Sequence, residues 1–507
     1  MPYFEKLKSI NYLYFFIVAI AYIFCNGYLF NTGDQAEHLP QVYQKLNPEL
    51  YPNDFFLNYY NQTFTVRYYF TYVVYAFSLV VGVKASCFII YFCCLYAAIA
   101  GVFELANYFY NHELKSWLAV IAYLFLFRHF TVGGNYFQDN MLVGSSLAEA
   151  FCVWAFVFIF QNKYLLSGLL CGVAALFQPL IGLQVALIIG IILLVNLFII
   201  KQEKIKFINV LTFSLAFIIL ALFIYIPVFL TQVNGDSTNQ IEANKILFEY
   251  RGALHYLPQL FHSIDYKVIS FFIFISLIAL FFFTKIEKYI FITVLTVIIG
   301  LCILFAIILD LDPTNNLGKI QWYKTTVWLG IFCSILCINI IPLKFIKTIS
   351  ITVFSFTFCY VLFIGIVYSK SGYIQINNQS ISTQTHEWIK NNTPINAMFL
   401  APPNDYSFNC EAQRSTPVNY KAIVHETNYL MSWKQAMEKY YNMDFAKVEK
   451  LDCLPSAVRG FYKIDYTKYP HQEINYILVD KKTRMKANYN KTQVCYENEE
   501  FVVIKMK

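Results

Sequence analysis

Long uncharged stretches alternate with short polar breaks along most of this chain. Twelve stretches stand out: Tyr12–Phe30, Tyr68–Val83, Ala85–Phe109, Trp117–Phe127, Met141–Phe160, Tyr164–Phe177, Leu180–Ile200, Phe207–Leu230, Val268–Thr284, Tyr289–Leu309, Val327–Ile341 and Ile349–Tyr368. Most approach the ~20 residues that carry an α-helix across a bilayer, so the pattern predicts a polytopic all-α membrane protein. Lysines mark several breaks, namely Lys6 and Lys8, "KQEKIK" (Lys201–Lys206), "KIEK" (Lys285–Lys288) and Lys344/Lys347. Positive charge collects on the cytoplasmic side, which places these breaks inside. Residues 31–66, 231–267, 310–326 and everything after Ser369 then face outward. The crossings count correctly only if one segment before Leu180 fails to span. Tyr68–Val83 is the choice and Tyr164–Phe177 the alternative, which leaves about 11 transmembrane helices and puts residues 128–140 outside as well.

After Ser369 the apolar runs shorten and charge rises. Residues 1–369 are thus read as a transmembrane module, and residues 370–507 as a small α/β domain on the periplasmic side. "STQTHEWIKNNTP" reads as a helix capped by Ser382, and "YLMSWKQAMEKYY" as a second amphipathic helix. "AMFLAPP", "INYILVD" and "FVVIKMK" read as short buried strands.

Composition agrees: of 507 residues, 58% are hydrophobic and 14% charged. The net charge of +7 comes from lysines at segment ends and gives no reason to expect nucleic acid. Of the 13 cysteines, ten lie in or beside apolar runs and read as small hydrophobes. Cys410, Cys453 and Cys495 lack metal-ligand spacing and allow at most one disulfide. The first apolar run has no small-residue cleavage site and reads as a retained helix.

Candidate chemistry lies at the outer ends. Only Arg67, Arg128 and Arg251 precede the C-terminal part, and this topology puts all three outside. A guanidinium fork suits phosphate oxygens; the alternative is snorkelling at helix ends or pairing with loop acids. Arg251 and His255 are four apart, so on a helix they share a face. In "NTGDQAEHLPQVYQKLNPELYPNDFF", Asp34, Glu37, His38 and Asp54 follow directly on the first apolar run. A carboxylate there can accept a proton from an attacking hydroxyl, or hold a divalent cation (Mg or Mn) with Asp54 or Asp139; otherwise the stretch is a solvated loop. Partial desolvation at the helix end is expected to raise the basicity of Asp34. Glu149, read as midway along its segment, must face a partner or a cavity, or stay protonated. "FQPLIGLQ" puts Gln178 at a broken helix lining a cavity, or at a plain proline kink. Lys319 and Lys324 of "GKIQWYKTT" carry positive charge on the side that the positive-inside bias leaves poor, and with Trp322 and Tyr323 they fit interface anchors.

"GDQAEHLP", "YPNDFF", "NYFQDN", "QPLIG", "YRGALHYLP", "IQWYK" and "WIKNNTPINAMFLAPP", in that order, carry a family resemblance over nearly the whole chain. The chain resembles the GT-C superfamily of membrane glycosyltransferases, which use sugars linked to polyprenyl phosphate. It is most similar to an uncharacterised bacterial branch of GT-C-like proteins. The resemblance implies a polyprenyl-phosphate-linked sugar donor, an acceptor (glycan, lipid or protein) and a location in the bacterial inner membrane. It assigns Asp34 as base or metal partner, with Glu37 as nearest substitute, and points to Asp139 as an accompanying acid. It puts Arg251, His255 and Lys324 on the lipid phosphate, with His38, Arg67 and Arg128 as further candidates. The chain departs from the branch at Gln178, where a His is usual before the proline, and at Leu254–His255, where a His pair is usual. At Lys324 the branch has Arg. Two rival readings are a transporter or lipid flippase, with Glu149 and Gln178 on the path, and a non-catalytic GT-C-like scaffold.

Overall fold

A computed structural model of the chain describes residues 9–201, 205–233, 239–312, 314, 316–368, 374 and 380–506. Lys6, Lys8, part of "KQEKIK" and the expected boundary at 369/370 lie outside the described residues. Every predicted apolar stretch is helical, with ends shifted by a few residues; Met141–Phe160, for instance, starts its helix only at Gly144. Among the described residues six helices, Val83–Tyr110, Pro179–Ile200, Phe207–Thr231, Ser263–Phe282, Ile286–Leu311 and Leu343–Ile364, are long and apolar enough to cross a membrane. Their outward faces carry bare aromatic side chains such as Phe229, Phe271 and Phe356, a surface that hydrocarbon covers and water does not. The chain is a membrane protein.

Both segments weighed as non-spanning, Tyr68–Val81 and Tyr164–Phe177, are helices of 14 residues. At 1.5 Å per residue each is about 21 Å long and falls short of a ~30 Å hydrocarbon core. Helix Tyr164–Phe177 packs between Gly144–Phe160 and Phe207–Val233. Gly168 and Gly172 allow that approach: a Cβ at Gly168 would meet the Phe213 carbonyl oxygen at 2.3 Å, and one at Gly172 the Leu220 Cβ at 2.7 Å. Small residues four apart let two helix backbones close in where no hydrophobic force between helices operates.

The C-terminal part holds a four-stranded sheet of β1 (Phe399–Leu400), β2 (Tyr476–Asp480), β3 (Val494–Glu497) and β4 (Phe501–Lys505) in the order β1-β2-β4-β3. β1 is parallel to β2; the other pairs are antiparallel, with Ile477 opposite Ile504 and Leu478 opposite Val503. Ile477, Val479 and Ile504 share a core with helices Thr427–Tyr441 and Cys453–Lys463. Leu478 and Val503 share another with helices Ile381–Asn392 and Phe408–Ala412. Cover on both faces is why β2 and β4 read as unbroken apolar runs. The first of these helices is capped by Ser380, whose hydroxyl accepts from the Thr383 N–H, and not by Ser382. The thirteen cysteines are all free thiols.

His386 is fully buried in this helix, with Nε2 2.8 Å from Asp405 and Nδ1 2.8 Å from Glu411. Burial pulls the imidazole down, but Asp405 and Glu411 prevail and raise it to about 10. The folded value exceeds the ~6.5 of an unfolded chain, so this stabilisation is complete below pH ~6.5 and is lost as pH rises through about 10. The thermal midpoint of wild type is therefore expected to fall more steeply over that window than that of His386→Gln. Parallel melting curves would remove His386 from the account.

Leu50, Tyr51, Phe56 and Leu57 from the first loop, and Ile246, Leu247 and Phe248 from a later one, belong to the same hydrophobic cluster as Trp433 and Ile477. Loops of the helical bundle and the C-terminal part thus share one core. That junction positions the candidate site.

Candidate functional site

The first loop folds as a 3-10 turn, Gly33–Glu37, followed by helix Leu39–Leu46. The turn leaves the Asp34 side chain 59% accessible, yet burial by surrounding protein is the largest influence on its carboxyl. Asp34 therefore lines a recess and not a convex surface. Burial pushes the carboxyl up, but the Lys421 ammonium, 2.5 Å from Oδ1, pulls it well below the usual range, aided by His38 and Arg251. The expected rise in basicity is thus reversed, because a cation from the C-terminal part reaches the carboxylate.

Glu37 is buried between two guanidinium groups: Arg67 pairs with Oε2, and Arg251 Nη2 lies 3.5 Å from Oε1. The same arginines hold the C-terminal part by its backbone, Arg67 Nη1 donating to the Ile423 carbonyl at 3.1 Å and Arg251 Nη2 to that of Lys421 at 2.8 Å. Glu37 is the centre of a clamp and does not stand in reserve as a base. Arg67 is largely occupied by protein. Arg251 keeps a buried Nε with no hydrogen-bond partner among the described residues.

Arg251 and His255 do not share one regular helix, since a π-helical turn, Ile246–Arg251, breaks at Gly252 before the short helix Ala253–Tyr256. Both still border the recess. His255 Nδ1 sits 3.2 Å from the Gly133 carbonyl, and its ring is held below its usual range by burial, with Lys324 and Lys421 adding. Gly133 and Gly134 have φ of +75° and +66°, and this left-handed turn presents that carbonyl to the ring. Lys324, on the turn Trp322–Thr325, has its ammonium pulled down by burial while Asp34 pulls it up.

Two residues went unread in the sequence. Segment 417–426 carries Lys421 and His425 into the recess. The Asn419 side chain accepts from the Lys421 and Ala422 N–H groups at 2.7 and 3.0 Å, and Trp433 Nε1 donates to the Asn419 carbonyl at 2.9 Å. His425 is exposed to the recess and held neutral, at about 3, by burial and then by Arg67, Lys319, Arg251 and Lys324. The neighbourhood thus gathers Arg67, Arg251, Lys319, Lys324 and Lys421 against the carboxylates of Asp34 and Glu37, while Glu426 is engaged by the Tyr59 hydroxyl. The excess of positive charge suits an anion of phosphate type.

Other predicted residues lie elsewhere. His38 is buried, its ring edge-on to Phe70 at 4.9 Å; burial and Arg67 keep it neutral, at about 3, so it offers no cation to phosphate. Arg128 bonds Asn26, approaches Asp139 at 3.9 Å and lies over the Tyr22 ring at 5.1 Å, sharing no partner with Arg67 or Arg251. Asp54 is buried; it caps helix Phe55–Tyr60 and accepts from the Thr416 N–H at 2.9 Å and Asn409 Nδ2 at 3.1 Å. It pins the first loop to the C-terminal part. The proposed metal set Asp34, Asp54 and Asp139 is not assembled: among the described residues no group of three or more His, Cys, Asp or Glu suits a metal ion. Glu149 is buried in the second turn of helix Gly144–Phe160 and accepts from the Gln138 N–H at 2.7 Å, bracing the 128–143 loop. Gln178 is half-buried at the junction of two helices.

Comparison with solved structures identifies the architecture. The chain aligns with the Archaeoglobus fulgidus oligosaccharyltransferase tethered with an acceptor peptide containing the NVT sequon, with a TM-score of 0.50 and 9% identity, over 94% of this chain and 70% of that one. The same enzyme in complex with Zn and sulfate aligns with a TM-score of 0.41 and 10% identity, over 92% and 68%. The first likeness shows the fold: this is a membrane protein folded like that Archaeoglobus fulgidus oligosaccharyltransferase. A family described as "Domain of unknown function (DUF6798)" matches residues 382–440, which include Lys421 and His425. By sequence the chain matches no curated protein.

Proposed function

We propose that this chain is a GT-C-like glycosyltransferase that moves a sugar from a polyprenyl-phosphate donor to an acceptor at the outer face of a bacterial inner membrane. The observation that carries this reading is the recess around Asp34, where Lys324, Lys421 and Arg251 surround a single accessible carboxylate. That the similarly folded enzyme was captured with an acceptor peptide supports transfer as the reaction. The acceptor oxygen forms a bond to the anomeric carbon as the bond from that carbon to the phosphate oxygen breaks. The electron pair leaves on the phosphate, which Lys324, Lys421 and Arg251 stabilise, with His255 at the rim. The acceptor's proton passes to Asp34. Arrival of the phosphate draws Lys421 away from Asp34, which restores basicity to the carboxylate at the moment it is needed. No step is routed through a metal, since among the described residues no three His, Cys, Asp or Glu side chains gather into a metal site.

Release of polyprenyl phosphate from a radiolabelled polyprenyl-phosphate hexose by the purified protein tests the reading; no release with any of a panel of hexoses would end it. Its pH profile is a second test. Lys421 holds the Asp34 carboxyl below the usual range in the free protein, so kcat/KM for transfer is expected to show no acid limb near pH 4 in wild type. In Lys421→Met the limb is expected to move up in pH and the rate to fall. An unshifted limb would remove Lys421 from the site.

A further inference from the structure

Beside the recess a second concavity, of about 350 Å³, opens at the seam between the first loop and the C-terminal part. We propose that it binds carbohydrate and, resting on the transferase reading, that it holds the acceptor glycan. Asn53, Asn58 and Gln62 contribute from the loop and Ser432 from helix Thr427–Tyr441. No hydrogen bond among the described residues engages these four side chains. Amides and hydroxyls each donate and accept, matching sugar hydroxyls, which do both. Phe55, Tyr59 and Tyr440 add aromatic surface for the C–H faces of sugar rings.

Charge and backbone argue against a peptide. The single acid in the lining, Glu473, is engaged by Lys439 at 2.8 Å and by the Tyr440 hydroxyl at 2.9 Å, leaving no free charge to select a peptide. The neighbouring sheet edge is closed to an added strand, because the Phe399 N–H donates to the Ser415 carbonyl and the Met398 carbonyl accepts from Asn475 and Tyr476. The position fits an acceptor. Pro417 lines the cleft and Lys421 lines the recess, four residues and at most ~14 Å of extended backbone apart. Tyr59 of the cleft also bonds Glu426, the neighbour of His425. A glycan seated in the cleft reaches the recess within a few sugar units.

Saturation-transfer NMR on the full chain, in a zwitterionic detergent free of sugar, tests this with chitotetraose, maltotetraose and a neutral Gly-Ser octapeptide as probes. A saturable signal is expected from at least one tetrasaccharide. It should weaken about tenfold in the Asn58→Ala/Gln62→Ala double variant and vanish in Asn58→Trp, which fills the cleft. Both positions are exposed, so the variants should melt as wild type does. Asp34→Asn should bind the tetrasaccharide unchanged. No tetrasaccharide signal, an equal signal in Asn58→Trp, or a signal from the octapeptide alone would overturn the site. Saccharide binding lost in Asn58→Trp, in a protein that transfers no sugar, would leave the site standing and remove the transferase reading. Full-rate transfer in Asn58→Trp would show that the cleft does not hold the acceptor.

Discussion

Asp34→Asn is expected to yield a folded, membrane-inserted protein whose sugar transfer falls by about 10³-fold or more. The substitution keeps the shape of the side chain and removes both the proposed proton acceptor and the charged partner of Lys421. Losing a single preorganised electrostatic partner in such a site typically costs ~10²–10³ in rate, and losing the proton acceptor adds to that. The accessible carboxylate contributes little to packing, so the melting temperature should move by no more than a degree or two. Release of polyprenyl phosphate by purified wild type and variant is the measurement. Wild-type turnover in the Asn variant would show that Asp34 is not the base.

The largest loss of stability is expected from Glu37→Ala. Glu37 and its partners Arg67 and Arg251 are only 10–15% accessible at their side chains. Removing the carboxylate leaves two guanidinium groups facing each other in a mostly dry position, a change that typically costs ~3–5 kcal/mol. Both arginines also hold carbonyls of segment 417–426, so the C-terminal part should loosen with them. Melting and limited proteolysis of the full chain would read this out, with new cleavage near residues 417–426. A variant that melts and resists protease like wild type would mean that the clamp contributes nothing.

The contrast between these residues shows what the sequence could reveal. The membrane helices were legible because their length and lack of charge are local properties, as was the first loop's supply of acids. The partner of Asp34 was not, since Lys421 lies 387 residues further on and only the packed C-terminal part brings it there. The one local hint is a Lys and a His within "YKAIVH", an otherwise apolar stretch. Asp54 looked like any loop acid; its roles as helix cap and as acceptor for Thr416 depend on a partner chain segment remote in sequence. Glu149 was misplaced for a simpler reason. Its helix starts at Gly144 and not at Met141, which moves the residue from the middle to the second turn and into reach of Gln138. β3 escaped notice because its alternating accessible residues carry little apolar signal.

The two 14-residue helices have a bearing on how a substrate with a long greasy tail gets in. Tyr68–Val81 and Tyr164–Phe177 pack against one another, and Arg67 sits at the start of the first. A pair of helices ~9 Å shorter than the surrounding hydrocarbon creates a hydrophobic mismatch, which lipids relieve by thinning and letting their head groups dip. If the proposed donor is used, its phosphate would come level with Arg67 at that dent while its tail stays among the acyl chains, and the bilayer itself would lower the barrier to loading.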